Sequence, residues 1–279
     1  PIGLAEGARS FLERSLVAGR VSDAVVHIDA RPADFAAEAM RDEAMDIRFN
    51  VTGGEMRFIS TMSPVVNARG SAVVRGNRFD MTIPEARINN MAITNGRVEL
   101  PRFKPKGAMA TISARVDGDA RNILEVLAQE PLNLDERLPV DPASASGRGT
   151  VNIRIQRPML TEVPFEDWRF TIDGSIRDFA GNMTTRRMAL SQGQLTVRGD
   201  QDAIVVSGPV RAGSSAIEQV RWTEHLGRRA GSSSEYQISG DFDANDLERL
   251  GYPVAEYAQG RVGVTVTGST LNTESSSVT

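Results

Sequence analysis

A mostly β fold, an extended antiparallel sheet with a few short helices, is what this 279-residue sequence predicts. Three observations carry it. Apolar and polar residues alternate with a period of two along most of the chain, the pattern of strands with one apolar face. Glycine-containing turn dipeptides interrupt the alternation at short intervals, as hairpins require. Stretches with helical spacing are rare and short.

The strands follow in order. Ala24, Val26 and Ile28 form one apolar face, with His27 on the other. From Ala44 to Val51 the apolar set is Met45, Ile47, Phe49 and Val51, separated by Asp46, Arg48 and Asn50. Met56 and Phe58 continue after Gly53-Gly54, which reads as a tight hairpin turn because glycine reaches positive φ without strain. Phe79, Met81 and Ile83 come next, then Val98 and Leu100 beyond a predicted Asn95-Gly96 turn. Ala108, Ala110, Ile112, Ala114 and Val116 form the following strand. In the second half Val151, Ile153 and Ile155 alternate with Asn152 and Arg154, and Trp168, Phe170 and Ile172 with Arg169 and Thr171. Leu195 with Val197, Ile204 with Val206, Val220 with Trp222, Tyr236 with Ile238, and Val262, Val264 and Val266 supply further strands. Gly76-Asn77, Gly199-Asp200 and Gly208-Pro209 are predicted turns.

Three short helices are expected. Ala8 to Val17 places Phe11, Leu12 and Leu16 on one side and stops at Gly19. Asp119 to Gln129 aligns Ile123, Leu124 and Leu127, and Pro131 closes it. Asn245 to Leu250 opens with Asn245 and carries Glu248 three positions on, like a capping box. The segments ISARVDGDARNILEVLAQEPL and YQISGDFDANDLERLGYPV share the order strand, Asp-containing turn, Leu-rich helix, and a glycine-led strand follows each. Such self-similarity suits a repeat whose units extend one sheet. Residues 131–146, rich in proline and small side chains, read as a loop within a continuous segment spanning 1–268. Residues 269–279, rich in Ser and Thr, read as a flexible end. Together with the start at Pro1, this is expected of a piece of a longer protein.

Composition excludes several functions. A net charge of -4 argues against nucleic-acid binding, which rests on a clustered basic field. The absence of cysteine removes disulfides, thiolate metal sites and cysteine nucleophiles. No apolar run reaches the roughly 20 residues of a membrane-spanning helix. The two histidines, His27 and His225, have no metal-ligand partner at helical or strand spacing, so no metal is expected. His225 lies beside Glu224, but no Gly-x-Ser-x-Gly elbow accompanies it. Asp241, Asp243 and Asn245 imitate the start of a calcium loop, yet its glycine position holds Asp246 and its final glutamate position Tyr252, so helix capping explains them better. Gly147-x-Gly149 lacks the rest of a phosphate loop and reads as the beginning of a strand. Adjacent Glu166 and Asp167 would point to opposite faces of a strand, wrong for a carboxylate dyad. No enzyme activity and no cofactor are expected.

What remains is the apolar face. Its ordinary meaning is the core of a sandwich or barrel. Against that stand the number of similar strands and the prevalence of Met, Val and Ala on the face, which suit an adaptable surface for acyl chains. So many strands, about 4.8 Å apart, must close, pair with a second sheet, or present a long groove.

ARSFLERSLVAGRVSDAVVHIDARPADF (Ala8 to Phe35), ITNGRVELPRFKP with ARNILEVLAQEPL after it, and VRWTEHLG followed by YQISGDFDANDLERLGYPV together resemble the AsmA-like superfamily. Within it they are similar to the central region of YhdP-type proteins, which also resemble TamB and bridge-like lipid-transfer proteins. The resemblance implies a long twisted sheet forming an open taco-like groove, anchored in the inner membrane elsewhere in the protein and reaching across the periplasm. It implies conduction of phospholipid between inner and outer membranes, and it offers no catalytic residue. Acyl chains would then be lined by Met45, Ile47, Phe49, Val51, Met56, Phe58, Phe79, Met81, Ile83, Val98, Leu100, Ile112, Val116, Val151, Ile153, Ile155, Trp168, Phe170, Ile172, Leu195, Val197, Ile204, Val206, Val264 and Val266. The competing expectation is a scaffolding envelope protein with a closed apolar core.

Overall fold

The structure, a computed structural model, describes residues 16–36, 40–57, 61–130, 132, 134, 137–160, 163–164, 167–184, 188–226, 232–254, 256–257, 259–271 and 276–278. The chain divides into two compact units. Unit 1 is Pro1–Val116 with Asn152–Phe170, and unit 2 is Asp117–Val151 with Thr171–Thr279.

Unit 1 holds β1 (Leu16–Ile28), β2 (Met45–Met56), β3 (Val65–Arg75), β4 (Arg78–Ile88) and β5 (Met91–Leu100). The strands β6 (Met109–Asp119) and β7 (Ser146–Pro158) run through both units, and β8 (Arg169–Asn182) starts two residues before unit 2 does. Unit 2 continues with β9 (Ala189–Asp200), β10 (Ala203–Ala212), β11 (Ser215–His225), β12 (Ser232–Asp243), β13 (Arg261–Leu271) and the short β14 (Ser276–Val278). Hydrogen-bonded order follows chain order from β1 to β14, and the first and last strands are not partners, so the sheet is open. The predicted mostly β, antiparallel class is what the structure has.

The helices are α1 (Pro32–Ala36), α2 (Ala120–Leu127) and α3 (Ala244–Arg249), with single 3-10 turns at Asp42–Ala44 and Pro142–Ser144. The helix expected over Ala8–Val17 lies outside the described residues except at Leu16 and Val17, which belong to β1. The other two expected helices are α2 and α3, and each follows a strand that ends in aspartate. The cap of α3 is Asp243, whose Oδ1 accepts from the Asn245 amide at 3.0 Å, so Asn245 is inside the first turn and not its opener.

Turn chemistry divides into two outcomes. Gly76-Asn77 joins β3 to β4, and Gly199-Asp200 ends β9. Gly53-Gly54, Asn95-Gly96 and Gly208-Pro209 instead lie inside β2, β5 and β10. Register shifts occur beside two of these pairs, between Val51 and Gly54 and between Gly208 and Val210. Gly53, beside the first shift, has φ of 60°, while Asn95, with φ of 52°, sits where the register of β4 with β5 is unbroken. A β-bulge uses the same positive-φ residues as a turn, but it bends the strand without reversing it. Similar shifts break the registers of β1 with β2 and of β8 with β9.

Packing differs between the units. In unit 2 two apolar clusters lie beneath helices. One joins Ile176, Phe179, Leu195, Val197, Ile204 and Trp222 to Leu134, Leu138 and Val140, with Leu124 and Leu127 of α2 against it. The other joins Met188, Val210, Ile217, Phe242 and Leu247, the last from α3. In unit 1 a small cluster forms from Leu100, Ala108 and Ala110, against which Phe79, Phe103 and Met159 pack.

Candidate functional site

The cross-strand register of unit 1 assembles the predicted lining residues into rows. Residues directly opposite in an antiparallel pair share a face. Val26 opposes Ile47, Ile47 opposes Val74, Val74 opposes Phe79, and Phe79 opposes Leu100. The next row runs Phe49, Ala72, Met81, Val98, and a third brings Val21 to Val51 and Ile83 to Gly96. Beyond the bulges, Met56 meets Val65, Val65 meets Ile88, and Ile88 meets Met91. At about 4.8 Å per strand, the rows of β1 to β5 extend about 20 Å across the sheet.

This face is apolar but incompletely covered. Ile47, Phe49, Val51, Met56, Phe79, Met81, Ile83 and Val98 are half-buried, whereas Met45, Ala72, Val74 and Leu100 are buried. On β1 exposure is greater, with Val21 at 59% and Val26 at 57%. On β6 and β7, Ile112, Ile153 and Ile155 are half-buried, while Val116 and Val151 are buried. Trp168 stands just before β8, half-buried, with the Arg157 guanidinium 5.0 Å from its ring centre, and Phe170 is buried. Phe58 lies outside the described residues.

In unit 2 the corresponding residues meet a cover supplied by the chain. Leu195 opposes Ile176, Val206 opposes Val197 and Trp222, and Ile204 opposes Glu224. Leu195, Val197 and Ile204 are buried under α2 and the segment that follows it, and the half-buried Ile172 and Val206 pack on the same cluster. Gly149 permits the approach, since a Cβ there would fall 2.2 Å from Ile123 Cδ1. The segment is fastened at its far end, where the Thr184 amide donates to Pro139 O at 3.1 Å and the Asp141 amide to Asn182 O at 3.0 Å. Val264 packs beside the cluster under α3, and Val266 is half-buried.

The covered face of unit 2 contains an acid. Glu224 is fully buried; its Oε2 accepts from the Ser234 hydroxyl. Its Oε1 lies 2.5 Å from Arg137 Nη1 of the covering segment, an ionic contact off the hydrogen-bond direction. Burial pushes the Glu224 carboxyl above its ordinary range, against the opposing pull of Ser234, Arg137 and His225. Asp246 of α3 is also buried. Its Oδ2 accepts from the Ser214 amide and from the Ser214 and Ser215 hydroxyls at 2.7 to 2.8 Å. Desolvation raises Asp246, but these donors and Arg249 outweigh it and leave the carboxyl below its usual value.

Both acids act as structural ties. His225 Nε2 lies 3.3 Å from Glu235 Oε1 with no nucleophile in the pair. A depression of about 410 Å³ on β11 to β13 is lined by Arg221, Thr223, Glu235, Tyr236, Gln237, Thr267, Gly268 and Ser269. Among the described residues no three His, Asp or Glu side chains gather as a metal set. No helix among them is long and apolar enough to cross a membrane.

The strand β3 was missing from the predicted set. Its apolar residues Ala72 and Val74 complete two rows, but Ala68, Gly70 and Ser71 dilute the alternation that would have marked it. Met91 and Ile93, both buried, were missed because Asn95-Gly96 was read as a strand end. A family model described as YhdP protein matches residues 1–195. Neither the curated proteins nor the solved structures contain a match to the chain.

Proposed function

The chain belongs to the YhdP family, and on that premise we propose that it is the lipid-binding segment of a bridge-like envelope protein that conducts phospholipid between the inner and outer membranes. One observation carries this: in the cross-strand apolar rows of unit 1, Val21 and Val26 are exposed and Ile47, Phe49, Phe79, Met81 and Val98 are only half-buried, on a sheet that does not close. Transfer of hydrocarbon from water is worth about 0.8 kcal/mol per buried CH₂. Acyl chains laid along Ile47, Phe49, Phe79, Met81 and Val98 would gain that energy without requiring a polar anchor in the face. Met81 adds a side chain that adapts to chains of different shape. Membrane contact belongs to parts of the protein outside this segment, and the working location is the periplasm.

The test is native mass spectrometry of the chain purified without added lipid, followed by delipidation. Phospholipid adducts and a lower melting temperature after delipidation are expected. A lipid-free chain whose stability does not respond to phospholipid would reject the reading. A scaffolding role with an ordinary apolar core is the second reading, and the covered face of unit 2 favours it for that half.

A further inference from the structure

We propose that the loop joining β5 to β6 is an anionic-headgroup subsite at one end of the apolar face of unit 1; the inference rests on the lipid reading above. The sequence from Leu100 to Val116 contains no acid but carries Arg102, Lys104, Lys106 and Arg115. Arg102 and Lys104 are exposed and enter no ion pair among the described residues.

Four acids of β2, β4, β5 and the turn before β2 are paired with arginine. Asp42 pairs with Arg78 at 2.9 Å, Asp46 with Arg48 and Arg75 at 2.8 and 3.2 Å, and Glu99 with Arg97 at 3.0 Å. Asp80 also meets Arg97, at 3.8 Å. None of these four acids pairs with Arg102 or Lys104, whose charges complement phosphate.

The loop is held in shape and joined to the apolar rows. The Asn77 side chain donates to Lys104 O at 2.6 Å and accepts from the Lys104 amide at 3.0 Å. The Phe103 amide donates to Asn77 O at 2.7 Å. Phe103 itself packs with Phe79 and Met159 on Leu100, Ala108 and Ala110, so the cations on either side of it flank the end of the row that Phe79 and Leu100 close. Hydrocarbon on the rows and phosphate on the loop would be recognised by a single diacyl anionic lipid.

The experiment places a photo-crosslinking residue at Met81 and compares capture of phosphatidylglycerol with phosphatidylcholine, in the chain and in its R102E/K104E variant. Lys104 bonds Asn77 through its backbone, so the variant leaves that clasp intact, and its thermal melt checks this. Two exposed charge contacts predict roughly a five- to tenfold loss of phosphatidylglycerol capture in the variant, with phosphatidylcholine capture unchanged. Added salt should weaken phosphatidylglycerol capture in the unmodified chain alone. Equal capture of the two lipids by the unmodified chain, or an equal change of both in the variant, would overturn the subsite while leaving the lipid reading standing. Competition by deacylated glycerophosphoglycerol as effective as the intact lipid would also overturn it, by showing a free-phosphate site. Capture of neither lipid at Met81 would overturn the subsite together with the lipid reading.

Discussion

Asp34, in the short α1, ties the connection between β1 and β2. Its carboxylate accepts from Arg41 Nε and Nη2 at 2.7 and 2.8 Å and from the Arg31 amide at 2.7 Å. These bonds, the Arg41 side chain first, draw its pKa from 3.8 to about 2. A carboxyl depressed in the folded state stabilises above its unfolded pKa and loses that contribution as pH falls through the folded value. The stability difference between the unmodified chain and D34N should therefore be full above about pH 5, diminish as pH falls from about 4 and vanish below about 2. Parallel urea titrations across that range measure it. Glu224 has the opposite sign, since its carboxyl is raised and its ionised form is favoured less in the fold than in the unfolded chain. R137A leaves that buried carboxylate without its counter-ion. Because the Arg137 side chain is one-third exposed, the loss should fall near the lower end of the range for broken buried pairs, about 3 kcal/mol. E224Q in the R137A background should restore part of it, a non-additivity that denaturant titration of the single and double variants would reveal. Neither acid's role was legible in the sequence: Glu224 reads as one more polar position on a strand, and Arg137 approaches it only through the path of the covering segment.

Strands and helices were legible where their periodicity was undiluted. Met45 to Val51, Phe79 to Ile83 and Ile123 to Leu127 each carried one period clearly, and each became the expected element. Small residues hid β3, and the positive-φ pairs concealed the distinction between a turn and a bulge. That distinction depends on whether the partner strand continues, which is non-local information. It makes the glycines of β2 and β3 unequal. Gly53 sits at φ 60° with open space around its Cβ position, so G53A should cost only the backbone penalty of about 1 to 2 kcal/mol. Gly70 has no unusual φ, but a Cβ there would lie 2.2 Å from Thr82 O of the neighbouring backbone, which must move. G70A should cost about 2 to 3 kcal/mol through that overpacking and exceed G53A. Thermal melts of the two variants decide the order.

At the scale of the whole molecule, the open sheet in chain order and the family match over residues 1–195 agree with the fold that alternation and resemblance predicted. Alternation could show that each strand has an apolar face; it could not show what lies on that face. In unit 2 it is the chain itself, through α2, α3 and the segment after α2, and in unit 1 Val21 and Val26 are exposed while Ile47, Phe49, Phe79, Met81 and Val98 are half-buried. The difference arises from the positions of two Leu-rich helices, which the sequence revealed as helices without revealing what they cover. The most direct measurement is a map of phospholipid photo-crosslinking at single positions: Phe49 and Met81 on the half-buried rows of unit 1, Arg48 and Thr82 on the opposite face, and Ile204 beneath the cover. Capture at Phe49 and Met81, with little at the other three, is the predicted result. Equal capture on both faces of β2 and β4, or none at Phe49 and Met81, would contradict the assignment of this face to lipid.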